Sequence, residues 1–220
     1  MDVNSLVQTV AIYALPVLFA ITLHEAAHGY VARHFGDMTA HAEGRISLNP
    51  LRHIDPVGTI VVPLLILVAT SVAGGGGLLF GWAKPVPVNY SALRKPRQHM
   101  AWVAAAGPAA NLAMALLWAI LLKVAAVLPQ NSISLPLELM AQAGILVNLV
   151  FMFLNLLPIL PLDGGRIVAS LLPHRAAWSY SKLEPWGLPL LLLLLVTNVL
   201  NVVLAPLVGV SDALIRALVL

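Results

Sequence analysis

Five apolar stretches, most of them near the ~20 residues that a hydrocarbon core demands, govern what this chain can fold into. They run from about Leu6 to Val31, Val57 to Ala73, Ala101 to Leu128, Leu137 to Leu157, and from Trp186 almost to the C-terminus. The last is expected to break around Pro206 into one span and a shorter terminal helix. With 60% hydrophobic and 10% charged residues in a length of 220, the chain cannot cover a water-facing surface. It reads as an all-α polytopic membrane protein with about five to six transmembrane helices, forming a single integral-membrane domain over residues 1–220. Residues 1–5 carry Asp2 but no Lys or Arg, and no A-x-A-like exit follows. The first stretch is therefore expected to stay attached as an anchor.

The basic residues orient the spans. Arg33, Arg45 and Arg52 follow the first stretch, Lys84, Arg94, Lys95 and Arg97 precede the third, and Arg166, Arg175 and Lys182 follow the fourth. The connection "PQNSISLP" between the third and fourth has no charge. The positive-inside rule puts the three basic loops in the cytoplasm, which is the expected side of the active site. Parity then requires the chain to leave and return between residues 56 and 98. That passage is expected to be a short membrane-associated β or re-entrant segment, or a span with an extended return through "GGGGLLFGWAKPVPVN". Such backbone survives at membrane depth only when protein shields it or it lines a wet cavity. The chain has no Cys, which excludes disulfides and thiolate metal sites, and its scattered basic residues exclude a nucleic-acid footprint.

Near the end of the first stretch stands "HEAAH", with His24, Glu25 and His28 where lipid makes each costly. His24 and His28 are i and i+4, so both imidazoles share one helix face and can reach one metal ion. Glu25 projects about 100° round the helix, free to take a proton from a metal-bound water. A catalytic zinc takes a third protein ligand. Asp163 in "NLLPILPLDGGRIV" supplies a carboxylate at matching depth, where an Asp-Gly turn alone would otherwise explain it. Asn111 in "AAAGPAANLA" lies at the same depth from the third stretch.

HEAAH, GPAAN and "NLLPILPLDGG", in this order, resemble the site-2 protease family of intramembrane zinc metalloproteases. "GRISLNPLRHIDPVGT", "FGWAKPVPVN" and "LEPWG" extend the resemblance over nearly the whole chain, as a minimal form without PDZ or CBS domains. The resemblance implies one Zn2+ per chain held by His24, His28 and Asp163, with Glu25 as catalytic base. It also implies that Asn155 holds the substrate or its oxyanion. Asn111 matches the family's GPxxN asparagine, either as a support for substrate or as a helix-packing amide beside Gly107. The other histidines, His34 among them, read as interfacial or solvated. The implied partners are a transmembrane protein substrate and the lipid bilayer, in a bacterial inner membrane. Residues 44–48 (GRISL) and 84–88 (KPVPV) are candidate strands for an unwound substrate. Two rivals stand beside this reading. A zinc transporter has no need for Glu25 beside the first ligand, and an inactive membrane adaptor has no need for an intact HExxH.

Overall fold

A computed structural model of the chain describes residues 3–62, 84–129, 131 and 133–219. Helix α1, Val3–His34, is followed by one turn of helix, α2, Thr39–Ala42. Then come α3, Pro96–Val127, and α4, Ser134–Asn155. Two short helices follow, α5 (Asp163–Leu171) and α6 (His174–Ser181), and the chain closes with α7 (Glu184–Val196) and α8 (Val199–Val219). Among the described residues four helices, α1, α3, α4 and α8, are long and apolar enough to cross a membrane, while α7 is apolar but shorter. They make this an integral membrane protein.

Among the described residues the fold is helical and contains no strand. The candidate strand at 44–48 is loop, and 84–88 is extended without a ladder. The reason lies in where its backbone groups go. Pro85 and Pro87 have no N–H, Lys84 N–H donates to His53 O at 2.9 Å, and Arg45 Nη2 donates to both Lys84 O and Pro85 O. Of the second apolar stretch only the start is described. Asp55 caps a π-type turn, Pro56–Val61, by accepting from Val57 N and Gly58 N. The expected re-entrant or returning passage falls largely on residues 63–83, outside the described residues.

What is described fixes where the passage ends. Arg94 N–H donates to Phe35 O at 3.1 Å, Arg94 Nη2 to His34 O at 2.6 Å, and Asn89 N–H to the buried Asp37 carboxylate at 2.6 Å. Residues 89–94 therefore lie against the C-terminal end of α1.

The tail breaks elsewhere than expected. Pro206 lies inside α8, and the break falls at Thr197 and Asn198, where Asn198 adopts φ 61°. Proline is tolerated within membrane helices, whereas a left-handed residue ends one. The shorter piece consequently precedes the longer one.

The core forms where α3 meets α4 and α8. Ala115, Trp118, Ala119 and Leu122 pack on Ala141, Ile145, Leu149 and Met152, with Val208 and Ile215 from α8. Small residues let these helices approach closely. Helix α1 lies against both α3 and α4, and α5 lies against α3. Between α4 and α5 the chain turns back so tightly that a Cβ on Gly164 would stand 2.2 Å from Leu156 O. Only glycine at that point allows Asp163 to face α1.

Candidate metal centre

The depth argument places four polar side chains from three apolar stretches, His24, His28, Asn111 and Asp163, in one layer, and the structure brings them into contact. His24 Nε2 stands 3.1 Å and His28 Nε2 3.4 Å from the same atom, Asp163 Oδ2. The three candidate donor atoms lie within 4.8 Å of one another, and all three residues are buried. The imidazole rings meet edge to face with centroids 4.7 Å apart.

The hydrogen bonds behind the rings decide which nitrogens are bare. Val103 O can only accept, so the 2.7 Å contact with His28 Nδ1 assigns the ring proton to Nδ1. Asn111 Nδ2 donates to Ala20 O at 3.2 Å and to Asn148 Oδ1 at 3.0 Å. That turns Asn111 Oδ1 to His24 Nδ1, 2.6 Å away, and assigns the proton there too. Both Nε2 lone pairs then face a carboxylate oxygen. Asp163 Oδ2 is buried with no conventional hydrogen-bond partner. Three potential metal donors, two imidazole nitrogens and a carboxylate oxygen, thus converge on one point. A divalent cation fits that arrangement, and a ring nitrogen fixed from behind is how metal-binding histidines are usually held.

Gly107 makes room for the pair. A Cβ there would lie 2.5 Å from His24 Cε1 and 2.6 Å from His28 Cε1. The glycine of GPAAN therefore seats both rings, and its asparagine touches His24 rather than the cavity. Of the two readings open for Asn111, the geometry gives a third, support of a ligand.

A cavity of about 390 Å³ opens beside the cluster, lined by His24, Glu25, His28, Asn155 and Asp163 and by mostly apolar walls that include Phe151, Leu154, Val86 and Leu188. Glu25 is half-buried, and its Oε2 accepts from Val86 N at 2.8 Å, tying it to the extended 84–88 segment. Asn155 lines the cavity too, but its Nδ2 donates back to Phe151 O at 3.0 Å. His34 is exposed, its ring against Phe35. Two contributors had escaped the sequence reading. The Val86 amide carries no sequence signal at all. Asn148 carries a faint one, an amide two helical turns before Asn155 in an otherwise apolar run.

The comparisons agree on one family. The model of Peptidase family M50 matches residues 123–196, a window that contains Asn155 and Asp163. "Putative zinc metalloprotease YwhC" from Bacillus subtilis (strain 168) is 37% identical over 92% of this chain and 88% of its own length. "Putative zinc metalloprotease Rip2" from Mycolicibacterium smegmatis is 30% identical over 84% of this chain, which spans 66% of that protein. Its namesake from Mycobacterium tuberculosis (strain ATCC 25618 / H37Rv) is 29% identical over the same share. No solved structure matches the chain.

Proposed function

The chain belongs to peptidase family M50, the site-2 protease family, and from that premise we propose that it is an intramembrane zinc metalloendopeptidase. It would hydrolyse peptide bonds within or near the transmembrane segments of membrane-protein substrates. The observation that carries this reading is the convergence of His24, His28 and Asp163 on one point, in a cavity that also holds the Glu25 carboxylate. Two imidazoles and a carboxylate are a donor set that zinc takes in hydrolases, with a fourth position left open. One zinc bound there supplies Lewis acidity toward the scissile carbonyl and the attacking water.

The remaining work falls to the chain's own side chains. Glu25 takes the proton of the attacking water and then delivers it to the leaving amine nitrogen. The Val86 amide holds that carboxylate on the cavity wall meanwhile. Asn155 donates the second hydrogen of its Nδ2 to the oxygen that gains charge, the first being held by Phe151 O. The apolar walls keep bulk water from the reacting bond and receive the unwound apolar segment of the substrate. The basic loops support a cavity on the cytoplasmic side, and the bacterial relatives support a bacterial cell membrane as its location.

The test compares wild type with Glu25→Gln against co-expressed single-span substrates, scoring cleavage and bound zinc together. Zinc should stay at about one per chain while cleavage drops by roughly 10²–10⁴-fold, the cost of losing a general base. Equal cleavage by both proteins would end the metalloprotease reading.

A further inference from the structure

Asn148 touches none of the three candidate ligands, yet it is fully buried in the middle of α4. We propose that it is a positioning residue for the metal centre, fixing the ring tautomer of His24 through the amide of Asn111. The proposal rests on the reading of His24 as a zinc ligand.

The direction of each hydrogen bond makes the case. Asn148 Nδ2 donates to Gly144 O at 2.8 Å, and a backbone carbonyl accepts only. Asn148 Oδ1 is thereby turned outward as an acceptor, and Asn111 Nδ2 meets it at 3.0 Å. The other hydrogen of Asn111 Nδ2 goes to Ala20 O, leaving Asn111 Oδ1 for His24 Nδ1. All the polar atoms of both amides are then used, across α1, α3 and α4. A flipped Asn111 would set its oxygen against two acceptors, Ala20 O and Asn148 Oδ1, and would present Nδ2 to His24. The imidazole would then carry its proton on Nε2, where the metal has to bind. Asn148 supplies one of the two acceptors that forbid the flip. A plain helix-packing amide would also bond across helices in lipid, but its orientation would have no bearing on His24.

The experiment measures zinc affinity by competition with a chelator, on purified full-length protein and without reference to cleavage. Asn148→Leu removes the acceptor and should weaken zinc binding by roughly 10- to 100-fold, the range for losing a partner behind a metal ligand. Asn148→Asp in its neutral form, which burial favours, can still donate to Gly144 O and accept from Asn111. It should bind zinc close to wild type. Wild-type affinity in a folded Asn148→Leu protein would overturn the proposal, as would an Asp variant as weak as the Leu variant. Should Asn148→Leu fail to fold, Asn111→Ala takes its place as the broken relay, and unchanged zinc affinity there overturns the proposal equally. A wild-type protein that binds no zinc removes the metalloprotease reading itself. Zinc binding with an intact Asn148 effect but no cleavage removes only the protease.

Discussion

Gly107→Ala adds one methyl group at the point where both histidine rings cross α3. Its Cβ would stand 2.5 Å from His24 Cε1 and 2.6 Å from His28 Cε1, whereas ordinary contact begins at 3.4 Å. Each ring must therefore retreat by about 0.8 to 0.9 Å, or α3 must move as a body. Neither retreat is free, because His24 Nδ1 is held by Asn111 and His28 Nδ1 by Val103 O, both on α3 itself. Metal–ligand distances tolerate changes of only about 0.2 Å. A misplacement of about 1 Å in a reacting geometry costs on the order of 10²-fold in rate. The expected result is a folded protein whose zinc affinity falls by at least about 10-fold and whose cleavage falls by about 10²-fold. Gly209→Ala is the matched control, since a Cβ there meets nothing within 4 Å. The assay pairs chelator competition with cleavage of a co-expressed substrate, and size-exclusion behaviour verifies folding. Wild-type zinc binding and cleavage in Gly107→Ala would refute the claim that this glycine seats the ligands.

Removing the metal should destabilise the fold, because zinc bound only by the folded state adds about 2.7 kcal/mol at 100 times its Kd. Chelation should therefore lower the melting temperature of wild type and leave His24→Ala, which has lost its site, unmoved. Val86→Pro deletes the N–H that meets Glu25, while Val86→Ala keeps it and loses side-chain packing. A charge-assisted hydrogen bond is worth about 1.5–3 kcal/mol, so the Pro variant should cleave about 10- to 100-fold more slowly than the Ala variant, with zinc retained. Equal rates would remove the amide from the site. The chain has no native Cys, so Arg52→Cys and Arg94→Cys can be labelled singly with a membrane-impermeant reagent, and both should react from the same side. Reaction from opposite sides would contradict the return of the chain to the end of α1.

How much of this could be read beforehand depends on which residues lipid penalises. The spans now seen as α1, α3 and α4 were legible because an apolar run of the right length has few other uses. The meeting of His24, His28 and Asp163 beside Glu25 was legible because ionisable groups in such runs are rare and the i, i+4 pair shares one helix face. The tail was misread because punctuation was taken from Pro206, whereas Asn198 at φ 61° makes the break. The proposed strand at 84–88 failed because sequence shows extended propensity but not partners. Here the partners are Glu25, His53 and Arg45 rather than a second strand. Asn148 escaped because its role depends on which way a neighbouring amide faces, and no spacing rule encodes that.

Behind the histidines the buried polar groups are bonded across helices. His24 of α1 meets Asn111 of α3, which meets Asn148 of α4, and His28 of α1 meets Val103 O of α3. Glu25 meets the segment that returns to the end of α1. In lipid there is no hydrophobic force to hold helices together, and polar contacts take a larger share of that task. The same bonds that aim the ligands therefore help to assemble α1, α3 and α4. An Asn that bonds across helices from one side holds the candidate ligand His24 from the other, so the two descriptions of Asn111 do not compete. This also explains why the centre can be so small. The contacts that hold the candidate ligands also align the helices, and the tight turn at Gly164 brings Asp163 under the histidines.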